Sequence, residues 1–299
     1  MSIALPRPYA RNVVYLAWLI TILVSALPDI VWSQFAGAIP TWLLFAKMGL
    51  LLAFGAASLA WRPLRGLRNY CIVLLVFFAL SLLRMRLDFT IPALQNLFGG
   101  TVFDARMQAE QTGKFVAALA MVGALFALGF TRKEMFLRCG DLAAPINPVP
   151  LLGFPKRDSW TRFGLQWGFY IAAALAVVQW LTLRPGSAIL LQVAPLLPSI
   201  LFYAALNAIN EELFYRVPGL TTLEPVAGGK QALWMTAYFF GIAHYFGTPG
   251  GIVGGIVSIF MGWILGKGIL ETRGLFWSWW IHFLSDVAIF VFLAVTLLG

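Results

Sequence analysis

Long apolar runs separated by short basic connections recur along the whole chain, and they restrict its fold more than any other feature. Phe163–Leu183 and Ile252–Gly266 carry no charged residue, and Leu275–Leu298 carries only Asp286. About 20 such residues cross a bilayer as a helix, because a backbone without water must satisfy its own N–H and C=O groups. Charged residues make up 11% of the chain, against about 25% in a soluble domain. The expected fold is therefore all-α, a polytopic membrane helix bundle. Its spans are Val13–Leu27, Pro40–Ala60, Tyr70–Leu83, Phe115–Phe130, Phe163–Leu183, Ala188–Ile209, Ala232–Phe246, Ile252–Gly266 and Leu275–Leu298, or about eight or nine transmembrane helices. Leu87–Thr112, with Asp88, Pro92 and a Gly-Gly pair, reads as a loop with an interfacial helix. Thr131–Arg162 is a basic surface connection rich in proline. Arg184-Pro185-Gly186 is a sharp turn, and Pro195 and Pro198 kink the sixth span.

The net charge of +9 follows from topology and calls for no nucleic-acid partner. With Arg7 and Arg11 inside, the connections holding Arg62–Arg68, Thr131–Arg162, Glu211–Lys230 and Lys267–Arg273 all fall on the cytoplasmic side. The connection with Arg84, Arg86 and Arg106 is the exception. This places a multi-pass protein in the cell inner membrane with the Glu-rich stretch towards the cytoplasm. The first run lacks a small-residue cleavage site and reads as a membrane helix. Cys71 and Cys139 form neither a disulfide framework nor a metal-ligand pair.

Composition divides the chain at about Arg162. Residues 1–161 read as an amino-terminal transmembrane region for packing and anchoring, and 162–299 as the working domain. The second part holds Glu211, Glu212, Arg216, His244, His282 and Asp286 in or beside apolar helices. Ionisable groups in such places are expensive and functional by default. On an α-helix, Glu212 and Arg216 are four apart and suit an ion pair, while Glu211 has no cation at helical spacing. His282 and Asp286 also share a face. A carboxylate of this kind can take a proton from water, and histidines can protonate a leaving group or stabilise developing charge. Glu211, His244 and His282 also supply the donor types of a zinc site, although no H-E-x-x-H is present. Ser278 and Ser285 make no convincing serine-protease site. Gly250, Gly251, Gly254, Gly255, Gly262 and Gly266 let helices approach closely.

Three motifs stand in order: E-E-L-F-Y-R at Glu211–Arg216, F-G-I-A-H at Phe240–His244 and H-F-L-S-D at His282–Asp286. Together they resemble the CAAX prenyl endopeptidase and bacteriocin-processing family of intramembrane proteases, over roughly Arg162 to the end. The resemblance implies that Glu211 activates water, that Arg216 orients the pair with Glu212, and that His244 and His282 assist the water and the tetrahedral intermediate. Asp286 stands where the family often has Asn, so it is a protonated oxyanion donor, an orienter of His282, or part of a metal site. Val217 replaces a Gly that often follows the Arg. The resemblance implies either no cofactor or one divalent metal, zinc being possible. It also implies a membrane-associated or lipidated protein or peptide as substrate. The alternatives are a non-proteolytic membrane accessory or immunity protein retaining the fold, and an ion-coupled transporter. A transporter is expected to show matched broken helices in two halves, whereas only one half here is charged.

Overall fold

The computed structural model describes residues 11–84, 90–247 and 250–298. Arg7, Arg86, Asp88 and Thr248, which entered the topology and motif readings, lie outside the described residues. The helices in chain order are α1 (Arg11–Val24), α2 (Leu27–Ala36), α3 (Thr41–Ala60), α4 (Arg62–Arg65), α5 (Arg68–Arg84), α6 (Pro92–Phe98) and α7 (Val102–Ala127). They continue as α8 (Trp160–Leu183), α9 (Ser187–Val193), α10 (Leu197–Glu211), α11 (Val217–Ala227), α12 (Gly229–Ala243), α13 (Gly251–Thr272) and α14 (Phe276–Leu298). A π-helical turn, Glu212–Arg216, joins α10 to α11. Two short antiparallel strands, β1 (Pro145–Ile146) and β2 (Asp158–Ser159), lie in the connection before α8.

The protein is an all-α multi-pass membrane protein. Among the described residues, five helical runs are long and apolar enough to cross a membrane, and α1 with α2, bent by 42°, makes a sixth if the pair is one span. The other three expected spans do not meet the same measure by themselves. α5 has 17 residues and α12 has 15, and α7 carries Asp104, Arg106, Glu110 and Lys114 in its first half. The expected interfacial segment Leu87–Thr112 is also different from the observed one. Among the described residues of that segment α6 is a separate short helix, and from Val102 onward the chain is already in α7; Leu87–Phe89 lie outside the described residues. The cause is a capping box. The Thr101 hydroxyl and N–H donate to Asp104 Oδ2 at 2.6 and 3.1 Å, and the Asp104 N–H returns to Thr101 Oγ at 3.2 Å.

The chain forms two compact units, one of Met1–Ala79, Ala124–Phe130 and Tyr215–Gly266, the other of Leu80–Gly123, Thr131–Phe214 and Lys267–Gly299. In the first, α1 buries Ala17, Ile20, Thr21 and Val24, a single helical stripe. It packs on α3, α11 and α12, and Trp18 Nε1 donates to Gln231 Oε1 at 2.8 Å. Lys47, buried in α3, pairs with Asp29 and donates to the Ser25 carbonyl. Glycines set the approach of α12 and α13: a Cβ on Gly241 meets Ile259 N at 2.2 Å, and one on Gly262 meets Ala237 Cα at 3.1 Å. Gly266 is as tight against Leu233, while Gly251 has nothing near it. The packing reading of the glycine row therefore holds for its carboxyl-terminal members.

In the second unit, α14 packs on α8 and α10. Gly164 lies flat against Trp277, and a Cβ there meets the indole at 2.1 Å. Trp279 Nε1 donates to the Ala205 carbonyl at 3.0 Å, tying α14 to α10. α7 joins through Phe103 and Met107, which share a buried cluster with Ile200, Tyr203 and Ala204 of α10. The basic connection is fastened by Glu271, which takes Asn147 Nδ2 at 2.7 Å and Trp160 Nε1 at 2.9 Å and pairs with Lys267. Pro195 and Pro198 do break the sixth span: α9 stops at Val193, a 3-10 turn follows, and α10 starts at Leu197.

Candidate active site

The second unit brings four of the six candidate residues together. α10 ends at Glu211, and Glu212 opens the π-turn. Successive helical residues point about 100° apart, so the two carboxylates diverge. Glu212 is fully buried. Its Oε2 accepts from Ser278 Oγ at 2.5 Å, and its Oε1 lies 2.8 Å from His282 Nδ1. A carboxylate accepting at both oxygens fixes the proton of His282 on Nδ1 and turns Nε2 the other way. Nε2 lies 3.6 Å from Glu211 Oε2 and 3.7 Å from Asp286 Oδ2. One imidazole thus meets three carboxylates.

The countercharge comes from α7. Lys114 Nζ lies 3.2 Å from Glu211 Oε1, 2.8 Å from Glu110 Oε1 and 2.7 Å from Asn207 Oδ1. Asn207 in turn donates from Nδ2 to Asp286 Oδ2 at 2.9 Å. An ammonium only donates, so it holds the amide oxygen of Asn207 and turns the amide nitrogen to Asp286. The side chains of Lys114 and Glu211 are 14% and 16% exposed, and Glu110 is 48% exposed. The cluster therefore reaches the surface on its Glu110 side.

Arg216 and His244 belong to the first unit and meet there on Phe240. The guanidinium carbon of Arg216 is 3.9 Å from the Phe240 ring centre. The His244 ring is 4.4 Å from the same ring, and its Nδ1 lies 2.9 Å from the Phe240 carbonyl. The Phe of F-G-I-A-H therefore carries both the Arg and the His of the motifs. Glu212 and Arg216, four apart in the sequence, are the first and last residues of the π-turn. Its wider turn changes the angle between them, and π-turns concentrate at functional sites.

Among the described residues, no group of three or more His, Cys, Asp and Glu side chains is arranged to hold a metal ion. Within the second unit, a cation already sits on Glu211, namely the Lys114 ammonium. No step proposed below passes through a metal.

Lys114, Gln111 and Asn207 did not stand out as site residues in the sequence, and Ser278 stood out only as an unsuitable nucleophile. Lys114 and Gln111 fall in the amino-terminal part, where charge spacing alone signals an i, i+4 pair of Glu110 with Lys114.

Membrane helices that gather three carboxylates around one imidazole define the class: a polytopic membrane protein with a buried cluster of ionisable side chains among its helices. The family model described as type II CAAX prenyl endopeptidase, Rce1-like, matches residues 192–288. That range contains all three motifs and leaves α7 outside. No curated protein and no solved structure matches the chain.

Proposed function

We propose that the protein is an intramembrane endopeptidase that hydrolyses a peptide bond of a membrane-associated or lipidated protein or peptide. The family match over residues 192–288 supports protease activity. The observation that carries the chemistry is the single imidazole, His282, set among Glu211, Glu212 and Asp286. Water binds beside Glu211 Oε2 and His282 Nε2. Glu211, oriented by Lys114, takes a proton as the water oxygen adds to the scissile carbonyl carbon. The Lys114 ammonium is the nearby positive charge for the oxyanion. Glu211 hands that proton to His282 Nε2, and as the carbon–nitrogen bond breaks Nε2 passes it to the departing amine. The products are a carboxylate and an amine.

Glu212 and Ser278 hold the ring of His282 for this transfer, and Asn207 holds Asp286. The resemblance assigns Arg216 to the orientation of the Glu pair and His244 to the water and the tetrahedral intermediate. Asp286 orients His282 in this scheme, because the amide of Asn207 already donates to its Oδ2. In this reading the site lies towards the cytoplasmic side of the inner membrane. Membrane fractions incubated with a prenylated carboxyl-terminal peptide test the reading. Cleavage that is lost in Glu211→Ala supports it, and cleavage unchanged by that substitution contradicts it.

A further inference from the structure

A strip of buried polar side chains runs along the contact of α7 and α10 and meets the candidate catalytic cluster at Asn207. On α7 it comprises Asp104, Gln108 and Gln111, spaced four and three apart on one face; on α10 it comprises Tyr203, Asn207 and Asn210, with the same spacing. All six are at most 4% exposed. The three amides are locked in order. Lys114 holds the Asn207 oxygen, so Gln111 Nε2 donates to that oxygen at 2.9 Å, and Asn210 Nδ2 donates to Gln111 Oε1 at 3.3 Å. This directionality leaves the Asn210 oxygen pointing away from the relay. Gln108 Nε2 is likewise spent on the Ile91 carbonyl at 2.9 Å.

Four buried oxygens of the strip have no hydrogen-bond partner among the described residues: Asp104 Oδ1, Gln108 Oε1, Tyr203 OH and Asn210 Oδ1. The Asp104 carboxylate also acts electrostatically on the Tyr203 hydroxyl. Buried polar groups are satisfied by protein or by ordered water almost without exception. What these oxygens lack is a small donor of hydrogen bonds. At 1.5 Å per residue, the strip from Asp104 to Lys114 spans about 15 Å. Its Asp104 end begins at the exposed connection containing Thr90, Ile91, Gly99 and Gly100, and its other end is the Lys114–Glu211 contact.

We propose that this seam binds a file of water molecules and supplies Glu211 with its hydrolytic water. The hydration stands on the unpartnered oxygens alone; the supply role rests on the proteolytic reading. Water enters at the Thr90–Thr101 connection and passes Asp104, Gln108 and Tyr203 to the amides beside Lys114.

Radiolytic hydroxyl-radical labelling of the full chain in lipid nanodiscs tests the hydration, because radicals form where water is held. Met107 and Tyr203 border the seam, whereas the equally buried Met121 and Phe163 do not. The expected result is several-fold faster modification of Met107 than of Met121 and of Tyr203 than of Phe163. The contrast disappears in Asp104→Leu/Gln108→Leu, and Tyr203→Phe provides a milder variant that weakens labelling of Met107. Equal, slow labelling of all four side chains in the unaltered protein overturns the proposal. This arm needs no cleavable substrate, so it decides hydration even if proteolysis is absent. With a cleaved substrate, the double variant is expected to lose kcat at unchanged KM. Loss of labelling with full kcat overturns the supply role.

Discussion

At the scale of single residues, the site depends on a cation delivered from outside the segment that carries the motifs. Lys114 bridges Glu110, Asn207 and Glu211, and through Asn207 it sets the amide that faces Asp286. Lys114→Met removes the ammonium beside Glu211 and releases Asn207. The expected outcome is a fall in kcat of about 10²-fold, the size of a general acid–base contribution, measured by steady-state cleavage in liposomes. Lys114→Arg restores little, because a planar guanidinium does not replace a compact ammonium between three oxygens. Asp286→Asn separates two roles. If Asp286 orients His282, the substitution slows cleavage by about 10²-fold. Full activity with a pH–rate profile extended on the alkaline side contradicts that role and favours a protonated oxyanion donor. His282, Glu211 and Asp286 are legible in the sequence because ionisable residues in apolar runs have few reasons to be there. Lys114 is not, because it meets Glu211 through tertiary packing across 97 positions.

At the scale of elements, close helix contact is written in glycine. Gly164 of α8 leaves space for the Trp277 indole of α14, whose Nε1 donates to the Leu142 carbonyl at 3.0 Å. Gly164→Ala forces that indole to move and is expected to destabilise the protein by about 1–3 kcal/mol. Thermal unfolding in detergent measures this, and an unchanged midpoint contradicts the contact. The prolines of α9–α10 and the turn at Arg184–Gly186 are legible because each carries its own backbone constraint. The start of α7 is also written in the sequence, as the capping box T-V-F-D at Thr101–Asp104. It is overshadowed there by the Gly-Gly pair and the charges around it. Thr101→Ala is expected to remove about 1 kcal/mol, which hydrogen exchange at the first turn of α7 detects. The π-turn at Glu212–Arg216 leaves no comparable signal, because one extra residue in a turn has no period of its own.

At the scale of the whole molecule, low charge and repeated apolar runs specify a helical membrane protein, and among the described residues five to six helices meet that description by themselves. The residues that matter most to the proposed chemistry are less evenly legible. Within the second unit, α10 and α14 bring residues of the matched segment 192–288 to α7, which lies outside it. A motif search therefore finds the carboxylates and histidines but not the polar groups that hold them. The proposed reaction also uses no metal. Chelator-washed protein is expected to keep its activity with less than one metal ion per chain by elemental analysis; loss on chelation and recovery with zinc contradict this. The most direct measurement of the central claim is single-turnover cleavage of a prenylated carboxyl-terminal peptide by purified protein in liposomes, comparing the unaltered chain with Glu211→Gln. The account predicts one cut peptide bond for the unaltered protein, and for Glu211→Gln retained peptide binding with cleavage lowered by at least about 10²-fold. Equal cleavage by the two proteins contradicts it.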